Sequence, residues 1–264
     1  PTRRSSDLVE IFIYGRGGDE AIHGFPARQT LEASRAIARR HLLNDSRTAF
    51  ARQAAGAINA GAFHNDVVAV AHEHVLFHHE HAFADKDALK AEIRAKAVGL
   101  FEPVFVEVAA KDVSLDDAVT SYLFNSQLIS RPGQSKLTLI CPTETRENNK
   151  TASVVQQIIS QPNAAIGAVE YVEVRESMRN GGGPACLRLR IQMTAVERAA
   201  ATQGFFLTDV LAGQLEDWVR KHYRETLAPA DLPDPNLVDE TQTALDALTK
   251  ILPLGDDFYP FQRA

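Results

Sequence analysis

A repeated order of elements constrains the fold of this chain more than any single residue does. Residues 67–71 (VVAVA) form a short β-branched run, and Val75 and Phe77 lie in a second apolar run after a break at His72 and Glu73. Two such runs across so short a break predict a hairpin. Residues 85–98 follow with Leu89, Ile93 and Ala97 at four-residue spacing, which sets them on one face of a helix. Residues 104–108 (VFVEV) return as a strand. The same order then recurs. Residues 123–130 and 136–141 predict a second hairpin across the turn chemistry of Arg131, Pro132 and Gly133. Residues 149–160 carry Val154/Val155 and Ile158/Ile159 as a helical stripe, and residues 168–174 close as a strand.

Two strand–strand–helix–strand units are therefore expected in succession. Upstream, a strand over residues 9–14, a helix over about 29–43 and a strand over 48–51 read as the remnant of another unit. Downstream, residues 187–193 (LRLRIQM) alternate apolar and polar side chains like a half-buried strand. Leu207, Val210, Leu211, Leu215, Trp218, Val219 and Tyr223 mark an amphipathic helix. A last helix is expected to begin with Asp234 as N-cap and Pro235 in its first turn, and to stop before Pro253. Repeats of this size bury their faces against one another, so they predict a pseudo-symmetric assembly. The expected fold class is α/β, arranged as an α/β propeller.

Composition narrows the function classes. The 264 residues are 45% apolar, enough for a sizeable core, and carry a formal charge of -6 with Lys and Arg scattered. A nucleic-acid partner would call for a basic face, and none is concentrated here. No apolar run reaches membrane-spanning length, and no charged start with an apolar stretch marks secretion. Two cysteines in a chain this long make no disulfide scaffold, so reduced thiols in a cytoplasmic protein are expected. The first eight residues, PTRRSSDL, are polar, aperiodic and lack an initiator Met. They read as a non-native remnant ahead of a truncated chain.

Two segments carry reactive side chains. Cys186 follows the Gly-rich NGGGPA stretch and is expected to open a strand, where a thiol is accessible and nearby backbone amides can meet developing charge. A small buried hydrophobe is the competing reading for a lone cysteine. Gly181 to Gly183 lack the Lys-Ser/Thr pair of a phosphate loop. His64 and Asp66 stand two apart at the start of an expected strand, hence on one side of it. That pairing suits proton transfer or the holding of a cationic guanidinium, though an edge His with a solvated Asp fits the spacing equally well. His72, His74, His78, His79 and His81 resemble a metal cluster by count, but alternate strand residues face opposite ways and cannot converge on one ion. Cys141 reads as an inert strand-end thiol.

Taken together, FHNDVVAV at 63–70, YLFNSQL at 122–128, RESMRNGGGPACLRLR at 175–190, YPFQR at 259–263 and PARQT at 26–30 closely resemble the succinylarginine dihydrolases of the guanidine-modifying (pentein) superfamily. The similarity runs from about residue 10 to the C-terminus. It implies a five-bladed α/β propeller, of which residues 9–264 would supply about three units as a partial catalytic domain. It implies hydrolysis of N2-succinylarginine to N2-succinylornithine, two ammonia and carbon dioxide, in arginine catabolism. By the same resemblance Cys186 is the nucleophile and His64 the general acid/base. Arg28, Asp66 and Asn180 match substrate-binding positions, Asp66 for the guanidinium and Arg28 for a substrate carboxylate. No metal or organic cofactor is implied; the partner is a small-molecule substrate, with no nucleic acid or membrane, and the full-length protein is expected to be a homodimer.

One departure matters. The family completes its catalytic group with a Glu from a DEGAANH-like segment upstream of the first strand, and the 264 residues contain no such segment. The chain alone is therefore expected to be impaired. An arginine deiminase-like enzyme of the same superfamily, and a non-catalytic fragment, are the competing readings.

Overall fold

The computed structural model describes residues 7–18, 22–180, 182–187, 191 and 193–263. The chain separates into two compact units, residues 1–190 and 191–264.

The first unit is α/β and built from small sheets. Strand β1 (Glu10–Tyr14) pairs in parallel with β2 (Thr48–Arg52), from Glu10 opposite Thr48 to Tyr14 opposite Arg52. Helix α1 (Leu31–Arg40) makes the crossover, and the Thr30 side chain caps it by accepting from the Ala33 N–H. A short helix α2 (Ala55–Asn59) follows β2.

The two expected repeats are present. Strands β3 (Ala69–His72) and β4 (Val75–His79) form the antiparallel hairpin, and β5 (Val104–Val108) adds in parallel to β4. The crossover is α3 (Lys86–Ala97), capped by Asp85, with Leu89, Ile93 and Ala97 buried as their spacing requires. In the second repeat β6 (Gln127–Ile129) and β7 (Leu137–Pro142) are antiparallel, and β8 (Ile166–Val172) runs parallel to β7. Helix α6 (Asn149–Ser160) connects them, its first amides capped by Asn148. Two further helices, α4 (Leu115–Ser121) and α5 (Thr143–Glu147), lie outside the expected order.

Neither repeat closes a core alone. One apolar cluster joins Val70, Val75 and Phe77 of the first repeat to Leu128, Leu139 and Ile166 of the second. The rings of Phe77 and Phe124 meet across it with centroids 4.7 Å apart. A second cluster joins Ala51 and Ala57 of the N-terminal part to Val68, Phe83, Leu89 and Ile93. Each module thus covers its neighbour's flank, which is the packing expected of repeated units. Among the described residues the sheets have two or three strands and none closes into a barrel.

Residues 191–264 form a helical unit. Helix α7 (Arg175–Arg179) ends the first unit; α8 (Ala195–Ala200), α9 (Asp209–His222) and α10 (Asn236–Ile251) make the second. Helices α9 and α10 are joined by the Trp218 indole N–H, which donates to the Ala244 carbonyl at 2.8 Å, and by Arg224, which bonds both Asp234 and Glu240. Helix α10 begins one residue later than expected. Pro235 takes the N-cap position, while the Asp234 carboxylate accepts from the Asn236 N–H. The expected strand over residues 187–193 is not seen at its start, where Leu187 belongs to a 3-10 turn; residues 188–190 and 192 lie outside the described residues. So do residues 1–6 of the octet that reads as a remnant. No helix among the described residues is long and apolar enough to cross a membrane.

Candidate active site

Three stretches distant in sequence meet at the site. The first is the return of the chain after β1. Gly15 donates its N–H to the Gln29 carbonyl and Arg16 to the Arg28 carbonyl, which lays residues 28–29 alongside the strand end. A Cβ at Gly15 would lie 3.1 Å from Ala27 Cβ and 3.2 Å from Arg28 N, so the close approach that sets Arg28 in place is tighter than most side chains tolerate.

The second stretch carries the histidine. His64 is not in a strand: it stands at the N-cap of a 3-10 turn, Asn65–Val67, and β3 begins two residues after that turn, at Ala69. The alternation argument for placing His64 and Asp66 on one side therefore fails, because a turn and not a pleat separates them. They converge nonetheless. The His64 ring packs edge-on against Phe63 at 4.6 Å, and the Arg28 guanidinium lies 5.7 Å from the same Phe63 ring. Burial, the largest influence, pushes the His64 pKa below its ordinary value; the Asp66 carboxylate opposes this and the Arg28 charge adds to it. At neutral pH the ring is neutral and able to accept a proton.

The third stretch carries the cysteine. Cys186 sits in a 3-10 turn, Pro184–Leu187, rather than at the opening of a strand. It is exposed, so the small-buried-hydrophobe reading does not hold for it, whereas Cys141 is fully buried and its thiol is pushed up to about 12 by burial. Two bonds dock the cysteine turn on the entry to β6: the Ala185 N–H donates to the Asn125 carbonyl and the Gln127 side chain donates to the Pro184 carbonyl at 2.7 Å. The start of α7 is tied to α5 by Arg175, which bonds Glu144 and Glu147 at 2.8 and 2.9 Å.

These stretches line an open pocket of about 310 Å³ shared by Arg28, His64, Asp66 and Cys186. Gln29, Gln53 and Asn65 add polar wall. The Asn65 Oδ1 is buried and has no hydrogen-bond donor among the described residues, leaving an acceptor in the wall. A thiol, a neutral imidazole, a carboxylate and a guanidinium on one cavity can bind a substrate bearing both charges and carry out covalent and proton-transfer steps on it.

Asn180 is not among the lining residues. It ends α7, and its side-chain N–H₂ donates back to the Glu176 carbonyl at 3.0 Å. Sequence reasoning missed Gln29, Gln53, Asn65 and Asn125 as site residues, although Gln29 lies in PARQT, Asn65 in FHNDVVAV and Asn125 in YLFNSQL; only Gln53 lies in no motif that stood out. The histidine run of the hairpin is split by its environment: His78 and His79 are fully buried, with His78 Nδ1 against the His79 carbonyl and His79 Nε2 against the Val113 carbonyl. Among the described residues no group of three His, Cys, Asp or Glu side chains could hold a metal ion.

The chain matches the succinylarginine dihydrolase family model over residues 2–262. It is 52% identical over 256 residues to N-succinylarginine dihydrolase 2 of Caulobacter vibrioides, covering 97% of this chain and 57% of the relative. Identity is 48% over 259 residues to the N-succinylarginine dihydrolase of Idiomarina loihiensis, with 97% and 57% covered. It is 50% over 261 residues to that of Paraburkholderia xenovorans, with the same shares. The chain thus spans 57% of the length of these curated relatives. On a match that covers nearly all of its residues, the chain belongs to the succinylarginine dihydrolase family.

Proposed function

We propose that this chain carries the nucleophile and the acid/base of a cytoplasmic cysteine hydrolase that converts N2-succinyl-L-arginine to N2-succinyl-L-ornithine, two ammonia and carbon dioxide. The single observation behind the reading is the cavity that holds Cys186, His64, Asp66 and Arg28 together. The relatives' names carry the choice of substrate.

Each residue then has a task. The Asp66 carboxylate, with the buried Asn65 Oδ1, accepts from the guanidinium N–H groups and holds the carbon to be attacked. His64 takes the Cys186 S–H proton, and the thiolate so formed adds to that carbon. The C–N bond to one terminal nitrogen breaks, with His64 delivering the proton that lets it depart as ammonia. His64, now neutral, takes a proton from water, which attacks the same carbon and returns the thiolate. Repetition on the ureido product releases the second ammonia, and the carbamate left behind loses carbon dioxide. Arg28 pairs with a substrate carboxylate, and Asn180 joins substrate binding by turning from its bond to Glu176. No metal or organic cofactor enters this scheme.

The proposal extends to architecture. The strand–strand–helix–strand modules are read as blades of a five-bladed α/β propeller, with residues 9–264 supplying about three, and the full-length protein as a homodimer. The 264 residues hold no DEGAANH-like segment. A missing acid/base or positioning group costs a factor of about 100 to 10,000 in rate, so the chain by itself is expected to turn over little substrate.

The test uses a full-length version extended to the length of the relatives, assayed for ammonia release from succinylarginine. Cys186→Ser and His64→Ala should each abolish nearly all turnover, while Cys141→Ser stays near the parent rate. Substantial turnover by Cys186→Ser would sink the assignment.

A further inference from the structure

Behind the cysteine stands a buried amide that no step above uses. Asn125 is fully buried at the entry to β6, with its Nδ2 3.5 Å from Cys186 Sγ and its Oδ1 3.7 Å from the same sulfur. Both distances suit hydrogen bonds to sulfur. The contact is built in from two sides. The Asn125 carbonyl accepts from the Ala185 N–H, which brings the neighbouring sulfur to the amide. A glycine at 183 leaves the space the amide fills, since a Cβ there would lie 2.2 Å from Asn125 Oδ1.

We propose that Asn125 is a positioning residue for Cys186, holding the thiol through Oδ1 in the resting state and donating Nδ2–H to the thiolate that attacks. The inference rests on the reading of Cys186 as nucleophile. A thiolate loses water on the side that faces protein, and a neutral amide returns a donor there without adding charge. An amide also supplies both an acceptor for S–H and a donor for S⁻, which a hydroxyl-free apolar side chain could not. Packing alone would account for a buried Asn125, but it would not require either amide atom to face sulfur.

The readout is the rate of iodoacetamide modification of the Cys186 peptide against pH, followed by mass spectrometry on the 264-residue chain. Cys141 is fully buried and serves as an internal unreactive thiol. Asn125→Ala should slow modification at pH 7 about tenfold and move the midpoint of the pH–rate curve up by about one pH unit, the loss of one hydrogen bond to a charged group. Asn125→Asp should slow it further, because a carboxylate repels the thiolate. Gln127→Met weakens the docking of the turn without touching sulfur, and should leave the midpoint where it is. An unmoved midpoint in Asn125→Ala, or an equal movement in Gln127→Met, overturns the proposal. Should Asn125→Ala fail to fold by circular dichroism, a rate for Asn125→Asp within about twofold of the parent at pH 7 overturns it instead. Turnover by Cys186→Ser in the full-length version reports on the nucleophile separately, so the two failures are distinguishable.

Discussion

Gly183→Ala tests how tightly the cysteine turn is fitted. The new Cβ would stand 2.2 Å from Asn125 Oδ1, 2.6 Å from Tyr122 Cδ1 and 2.9 Å from Asn125 Cγ. None of these can yield cheaply. Asn125 is fully buried, and Tyr122 is held in a left-handed conformation (φ 55°) that turns the chain out of α4. Overpacking of this kind costs about 1–3 kcal/mol. For a chain of this size that amounts to a fall in Tm of roughly 2–12 °C, at about 2–4 °C per kcal/mol. The alternative to moving Asn125 is to move the turn, and a displacement of about 1 Å at a reacting group costs on the order of 100-fold in rate. Turnover of succinylarginine by the full-length version and differential scanning calorimetry read the two effects. Gly56→Ala is the control: it sits in α2, and a Cβ there meets nothing within 4 Å. It should leave turnover unchanged and stabilise slightly, by up to about 1 kcal/mol, because alanine is the better helix former. Gly183→Ala with parent-like turnover and a Tm within about 1 °C would refute the reasoning.

Three further outcomes are expected. Arg28→Ala should raise KM for succinylarginine far more than it lowers kcat, as steady-state kinetics will read, if its contact is equally strong in ground and transition states. Burial holds the His64 pKa below 6.5, so the neutral base persists below that pH and the acid limb of the kcat/KM profile should lie there. Asp66 raises that pKa, so Asp66→Asn should move the limb to lower pH still; a shift upward in the pH–rate profile contradicts the assignment. Cys141, with its thiol pushed up to about 12, should resist iodoacetamide in the native chain at pH 8 and react in 8 M urea, as peptide mass spectrometry will show.

Much of the fold was legible because the repeats state it twice. VVAVA, VFVEV and the stripe of Leu89, Ile93 and Ala97 each carry a clear period, and the same order recurs 58–63 residues on. Helices α4 and α5 were not legible: at seven and five residues they complete two turns at most, too short for a 3.6-residue period to stand out. The alternation in LRLRIQM suggested a strand from Leu187, but alternation reports only on side chains, and there the local backbone bonds close a 3-10 turn, with the Cys186 N–H donating to the Gly183 carbonyl. Cys186 and the His64/Asp66 pair stood out by local chemistry, but Arg28 and the joining of all four into one site came from motif resemblance, since nothing in the spacing links Cys186 to positions more than a hundred residues away. Gln53 and Asn125 were invisible for a different reason. Gln53 is buried with its side chain spent on the Ala62 carbonyl, and Asn125 faces sulfur only because a distant glycine leaves room. Tertiary contacts of that sort have no local signature.

The most direct test of the central claim is the count of ammonia against product for the full-length version acting on N2-succinylarginine. Ammonia is assayed enzymatically and N2-succinylornithine by mass spectrometry, beside the Cys186→Ser variant. The account predicts two ammonia per succinylornithine, formed by the parent and not by the variant. One ammonia per turnover with accumulation of the ureido product, or equal turnover by Cys186→Ser, would contradict it.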